Sequence, residues 1–105
     1  MLVGNAVSLN MLDAGLAEAT LHCRRLALEE ARQIARRAGE LVSAVGHADT
    51  AAIIEGLLGV PVPPSRINVT LRRGDRVLVG QYRGPRLPEG ARELPPGAEI
   101  VFYLV

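Results

Sequence analysis

The stretch Glu99-Ile100-Val101-Phe102-Tyr103-Leu104-Val105 carries apolar side chains on both faces of an extended chain. A strand of that kind belongs inside a sheet with both faces covered, so it predicts a central strand with other elements packed over it. Immediately upstream, residues 84–97 form a Pro/Gly-rich loop, and Arg76 to Arg83 reads as a second strand. Ile67, Val69 and Leu71 alternate with Asn68, Thr70 and Arg72, and Arg73-Gly74-Asp75 supplies a turn. That pattern predicts a hairpin in which Ile67–Leu71 pairs with Arg76–Arg83.

Further upstream the period changes from two to about 3.6. A second helix is expected from Ala48 to Leu58, with Ile53, Ile54, Leu57 and Leu58 as its buried stripe. Gly59 and Pro61 stop it, and Pro61, Pro63 and Pro64 make a stiff connector. The clearest helix is Leu28 to Ala38, where Leu28, Ala31, Ile34, Ala35 and Ala38 share one face. Glu29 and Glu30 in its first turn and Arg36 and Arg37 in its last match the macrodipole, and Gly39 closes it. Leu41 to Val45 is short and apolar. Leu2 to Asn5 reads as a strand, Ser8-Leu9-Asn10 as a polar turn and Gly15 to Ala19 as a loop. Ala19 to Leu26 alternates well enough for a strand, with Thr20, His22 and Arg24 opposite Leu21 and Cys23. About five strands and two helices predict an α/β (α+β) chain: one domain over residues 1–105, a mixed sheet with helices packed on it.

Composition narrows the function classes. With 105 residues, 49% of them apolar, the chain supports one modest core and is globular rather than disordered. Its apolar runs are too short to span a bilayer, and Met1-Leu2-Val3-Gly4 lacks the basic start of a signal peptide. The single Cys23 cannot form an internal disulfide, which fits a reducing cytoplasm. Net charge is +1, so neither a membrane nor duplex nucleic acid is the expected partner. All basic side chains are Arg, which a GC-rich genome or a hot habitat explains for most of them. A guanidinium is also the better fork for phosphate, and with so little net charge any bound anion needs a local pocket.

Three separated stretches place polar side chains beside backbone punctuation: Asn5 to Leu12, Ser43-Ala44-Val45-Gly46-His47, and Pro85 to Gly90. Together they offer an imidazole, a guanidinium, a carboxylate, hydroxyls and amides, a set that suits an anionic ester. No cluster has metal-ligand spacing, so no cofactor is expected. His47 follows a glycine and opens a helix, where a bound anion would lie beside it; a helix cap or an exposed surface His is the plainer reading. Arg86 and Glu89 sit in a loop stiffened by Pro85 and Pro88, as a positioned Arg–carboxylate set requires, or they form an ordinary surface ion pair. Gln81 continues the apolar row of Val77 and Val79, so it is either a satisfied buried amide or part of a pocket. Asn5, Ser8 and Asn10 by themselves read as turn caps. His22 has no punctuation around it and reads as structural, and Cys23 as a small core residue.

Asn5-Ala6-Val7-Ser8-Leu9-Asn10-Met11-Leu12 resembles the N-terminal signature of the viral ring nucleases, the type III anti-CRISPR family of archaeal viruses, phages and prophages. Ala44-Val45-Gly46-His47, Leu58-Gly59, Arg66, Gly74-Asp75, Gln81 and Arg86-Leu87-Pro88-Glu89-Gly90 follow in the family's order and at about its spacing. Val7 stands where the family often has Phe, and Ala14 to Leu41 carries the least resemblance. The resemblance implies a symmetric homodimer that binds cyclic tetra-adenylate across its twofold axis. It implies metal-free ring opening to linear products with 2′,3′-cyclic phosphate ends, which silences type III CRISPR signalling. In such a reaction the ribose 2′-OH attacks phosphorus and the 5′ oxygen leaves. His47 is then the expected general acid and Arg86 the stabiliser of the charged transition state. Glu89 would orient His47 or pair with Arg86, and Asn5, Ser8 and Gln81 would bind substrate. A sponge that holds the cyclic oligonucleotide uncut is the alternative, and a structural viral dimer a third reading.

Overall fold

The computed structural model describes residues 1–105. Five strands and two α-helices follow one another as β1 (Leu2–Gly4), β2 (Arg24–Leu26), α1 (Leu28–Arg37), β3 (Val42–Ser43), α2 (Ala48–Leu58), β4 (Val77–Arg83) and β5 (Glu99–Leu104). They make one mixed sheet in the order β2-β5-β4-β1-β3. β1 runs parallel to both β3 and β4, while β5 is antiparallel to β4 and β2. The α+β architecture with a five-stranded mixed sheet is the one expected.

β5 has neighbours on both sides, and its adjacent residues Val101 and Phe102 point to opposite faces yet are both buried. The apolar run therefore marks an interior strand, although β4 holds the middle of the sheet. Register sorts the side chains. Leu78 and Gly80 of β4 share a face with Leu104 and Phe102 of β5, and Val3 of β1 lies opposite Leu78. The helices cover this face: Ala31 and Ala35 of α1 and Ala51, Ile54 and Leu58 of α2 close the core over Val3, Leu78 and Phe102. Gly80 records how closely α2 approaches. A Cβ there would lie 3.0 Å from Ile54 Cδ1 and 3.1 Å from a ring carbon of Phe102, so any larger residue would force those side chains to shift.

Both helices lie within a residue of their expected bounds, and α2 ends at Gly59 with φ of 72°. Leu28 departs from expectation: it is exposed, and the seam of α1 is made by the buried Ala31 and Ala35, which permit close packing, with Ile34 packed beside them. Two strands are corrected. Ile67–Leu71 is not a strand and forms no hairpin with β4, because both hydrogen-bonding edges of β4 are already occupied by β1 and β5. Leu71 makes a single bridge to Leu12 instead, its N–H donating to the Met11 carbonyl at 2.7 Å. The Arg72–Asp75 turn still forms, closed by the Asp75 carboxylate accepting from the Arg72 N–H at 2.8 Å. Residues 19–23 are likewise irregular, and only Arg24–Leu26 pairs with β5. Leu21 and Cys23 are exposed, so their alternation buries nothing that would hold a longer strand. The fifth strand is Val42–Ser43, a two-residue edge pairing with β1.

Candidate functional site at the carboxyl edge of the sheet

Because β1, β3 and β4 run parallel, their carboxyl ends lie along one edge of the sheet. The three polar stretches all leave from that edge: Asn5–Leu12 after β1, Gly46-His47 after β3, and Pro85–Gly90 after β4. Beyond the carboxyl ends of parallel strands, loops diverge and helix N-termini point inward, which is where open sheets bind ligands. α2 begins at this edge.

A cavity of about 890 Å³ opens there. His47, Asp49 and Thr50 line it from the start of α2, and Tyr82 from β4. Gly84, Arg86, Leu87, Pro88 and Glu89 close it from the loop that follows β4. His47, Arg86 and Glu89 are thus brought into one space by elements far apart in sequence. His47 is the N-cap residue of α2, its carbonyl accepting from the Ala51 N–H at 2.9 Å, but its ring makes no capping hydrogen bond. Arg86 and Glu89 are exposed and do not pair with each other, for the ion pairs of the chain are Arg24–Glu30 and Arg32–Glu29. The capping imidazole and the surface ion pair are therefore unrealised, while His47 is exposed, as the plainer reading of a surface His expected.

Two tethers hold the loop that carries Arg86 and Glu89. The Tyr82 hydroxyl donates to the Pro85 carbonyl at its start. At its end the Gly90 N–H donates to Asp49 Oδ1 at 3.2 Å, a link spanning 41 residues. Gly84 makes the exit from β4: with φ of 147° it uses backbone space that L-residues rarely adopt, and a Cβ would stand 2.8 Å from Ala98. Asp49, Thr50 and Tyr82 are the lining residues that sequence reading missed. Tyr82 had a signal, since its parity is opposite to Gln81 and the same as Leu78, which aims it at the helix-covered face.

The other expected residues lie apart within one chain. Gln81 is half-buried on the opposite face of β4, its amide donating to the Tyr82 carbonyl at 3.2 Å. It lines a separate depression of about 360 Å³ with Val7, Cys23, Val79, Arg83, Tyr103 and Val105. Asn5 is half-buried directly after β1, and Ser8 is exposed with its hydroxyl donating to Asn10 Oδ1. Neither lines the His47 cavity. A cleft of about 840 Å³ at the opposite edge of the sheet is bounded by Leu12, Leu16, His22 and the Arg72–Arg76 turn. It has guanidiniums and one imidazole but none of His47, Arg86 and Glu89, which the cavity at the carboxyl edge gathers, so the candidate site is placed at that edge. No three or more His, Cys, Asp and Glu side chains are grouped to hold a metal ion, and no helix is long and apolar enough to cross a membrane.

Fold and pocket together define a small single-domain α+β protein with a polar pocket beyond the ends of its parallel strands. The chain belongs to the STIV B116-like family, whose model matches residues 1–95. A relative from Sulfolobus islandicus filamentous virus (isolate Iceland/Hveragerdi), called "Uncharacterized protein 26", is 34% identical over 61 residues. That match takes in 58% of this chain and about half, 51%, of the relative's length. Among solved structures, B116 of Sulfolobus turreted icosahedral virus superposes with a TM-score of 0.75 at 24% identity, over 98% of this chain and 95% of that one. The shared fold is therefore that of a protein family with members in Sulfolobus viruses.

Proposed function

We propose that this chain is a metal-independent ring nuclease that binds cyclic tetra-adenylate across a homodimer and opens it, switching off type III CRISPR signalling. The observation that carries the reading is the meeting of His47, Arg86 and Glu89 in one cavity with none of the three engaged in an ion pair or a side-chain cap. An acid, a phosphate-binding fork and a carboxylate are what transesterification at phosphorus uses. The ribose 2′-OH gives up its proton to solvent water, and its oxygen forms a bond to phosphorus as the bond from phosphorus to the 5′ oxygen breaks. His47 donates its proton to the departing 5′ oxygen, and the product ends in a 2′,3′-cyclic phosphate. Arg86 holds the extra negative charge on the phosphoryl oxygens, and Glu89 orients the imidazole.

The arrangement of the remaining groups supports reading the site as shared by a dimer. Asn5, Ser8 and Gln81 stand outside the His47 cavity of their own chain, so a ligand large enough to meet all six residues would draw on two chains. A ring of four identical nucleotides is compatible with twofold symmetry. With a formal charge of +1 per chain, pooled Arg86 side chains are the available local counter-charge for its phosphates. The test is incubation of the protein with labelled cyclic tetra-adenylate in EDTA, followed by thin-layer separation, with ligand stoichiometry and solution mass measured on the same sample. Linear products and one ring per two chains are expected. Ring retained uncut would overturn the nuclease reading, and one ring per active monomer would overturn the shared site.

A further inference from the structure

We propose that Asp49 is a positioning residue that locks the Arg86–Glu89 loop onto the helix bearing His47, so that the two halves of the candidate site act as one unit. The proposal rests on the ring nuclease reading above and adds a residue that neither the sequence motifs nor that reading assigns. Asp49 lies two residues after His47, in the first turn of α2, and is half-buried. Its Oδ1 accepts from the backbone N–H of Gly90, immediately after Glu89. The opposite end of the loop is fixed to β4 through Tyr82 and Pro85. Arg86, Leu87, Pro88 and Glu89 are therefore suspended between two anchors, and only the Asp49 anchor belongs to the element that carries the imidazole.

The geometry requires an acceptor at position 49, not a charge. A first-turn carboxylate also favours the helix dipole, but that role acts on folding and would leave turnover untouched in the folded enzyme. Loss of the tether instead frees Arg86 and Glu89 from their register with His47. A displacement of about 1 Å in such a set costs on the order of 10²-fold in rate. Because the tether sets orientation, the loss falls on kcat more than on KM.

The experiment compares Asp49→Ala and Asp49→Asn in the full chain, using cyclic tetra-adenylate as substrate and the Gly90 amide resonance as a second readout. Asp49→Ala is expected to lower kcat by about 10- to 100-fold with KM within about threefold, and to shift the Gly90 amide proton. Asp49→Asn, which keeps the Oδ1 acceptor, is expected to restore most of the rate and the native amide shift. Wild-type turnover in Asp49→Ala would overturn the proposal, as would Asp49→Asn as damaged as Asp49→Ala, since the charge would then be the working feature. If the wild-type protein leaves the ring uncut, the function reading fails. The Gly90 resonance still decides the tether in that case: an amide indifferent to Asp49→Ala refutes it.

Discussion

The two helices spend their polar groups differently. In α1, Glu30 accepts from the Ala27 N–H at 3.2 Å and pairs with Arg24 at 3.1 Å, while Glu29 pairs with Arg32 at 3.4 Å. Arg32 further donates to the Leu57 carbonyl at 2.8 Å, which staples α1 to the end of α2. In α2 the N-cap imidazole makes no cap bond, and the first-turn carboxylate reaches a loop 41 residues away instead of its own backbone. α1 thus meets the N–H of its own N-cap residue with its own Glu30, although Ala27 offers the first-turn N–H groups no side-chain cap. α2 presents its start to a cavity, and an end left for something else to satisfy is a sign of a binding edge.

The sharpest way to break that contrast is His47→Ala. If the imidazole is the general acid, single-turnover ring opening falls by about 10²–10⁴-fold while ring affinity changes little. Unfolding should barely move, within about 0.5 kcal/mol, because the exposed ring makes no cap bond to lose. A large loss of stability with cleavage intact would make α2 a second structural helix and end its distinction from α1.

Arg86→Ala comes next, with an expected loss of about 10²–10³-fold in turnover, the usual consequence of removing one stabiliser of developing negative charge. Arg86→Lys should recover only part of it, because an ammonium supplies charge without the planar fork. Turnover equal to wild type in both variants would leave Arg86 a solvated loop residue. Gly84→Ala tests the loop rather than its chemistry. The new Cβ would meet Ala98 at 2.8 Å in backbone space suited to glycine, so we expect a destabilisation of about 1–3 kcal/mol. A melting temperature unchanged by that substitution would show that the loop relaxes and is not held by its exit from β4.

Much of this was legible because local and tertiary demands agree. Both helices carry apolar stripes and glycine stops, α1 has charged ends as well, and both formed within a residue of expectation. The apolar run at Glu99–Val105 announced an interior strand and delivered one. The hairpin failed for a reason no local pattern holds: which strands take the two edges of β4 is decided by β1 and β5, distant in sequence. At the candidate site, His47, Arg86 and Glu89 each stood out beside glycine or proline, and the parallel strands brought them to one cavity. Asp49 did not stand out, and Tyr82 was marked only by its strand parity. Their roles are hydrogen bonds to backbone, one across 41 residues and one within the turn after β4, and a backbone partner leaves no mark in the sequence.

The smallest effect belongs to α1 and sharpens the contrast from the other side. The Ala27 N–H hydrogen bond, followed by the Arg24 side chain, holds the Glu30 carboxyl below its ordinary value, against a slight opposing effect of burial. A carboxyl depressed in the folded state contributes stability that is fully present above its unfolded pKa, about 4.3 for Glu, and is lost as pH falls through the lower folded value. Glu30→Gln keeps an oxygen for the Ala27 N–H but loses the charge that Arg24 meets. The variant should therefore be slightly less stable than wild type at neutral pH, with the gap closing as acid protonates Glu30 in the parent. The carboxyl is exposed, so solvent screens the pair and the gap is small. Ring opening at neutral pH should be unaffected, because α1 faces the cavity with none of its side chains. Paired unfolding curves from neutral pH to below pH 4 (about the ordinary carboxylate range) check the sign. A gap that widened in acid would mean that Glu30 is held above its ordinary value, and the self-satisfied end of α1 would have to be described anew.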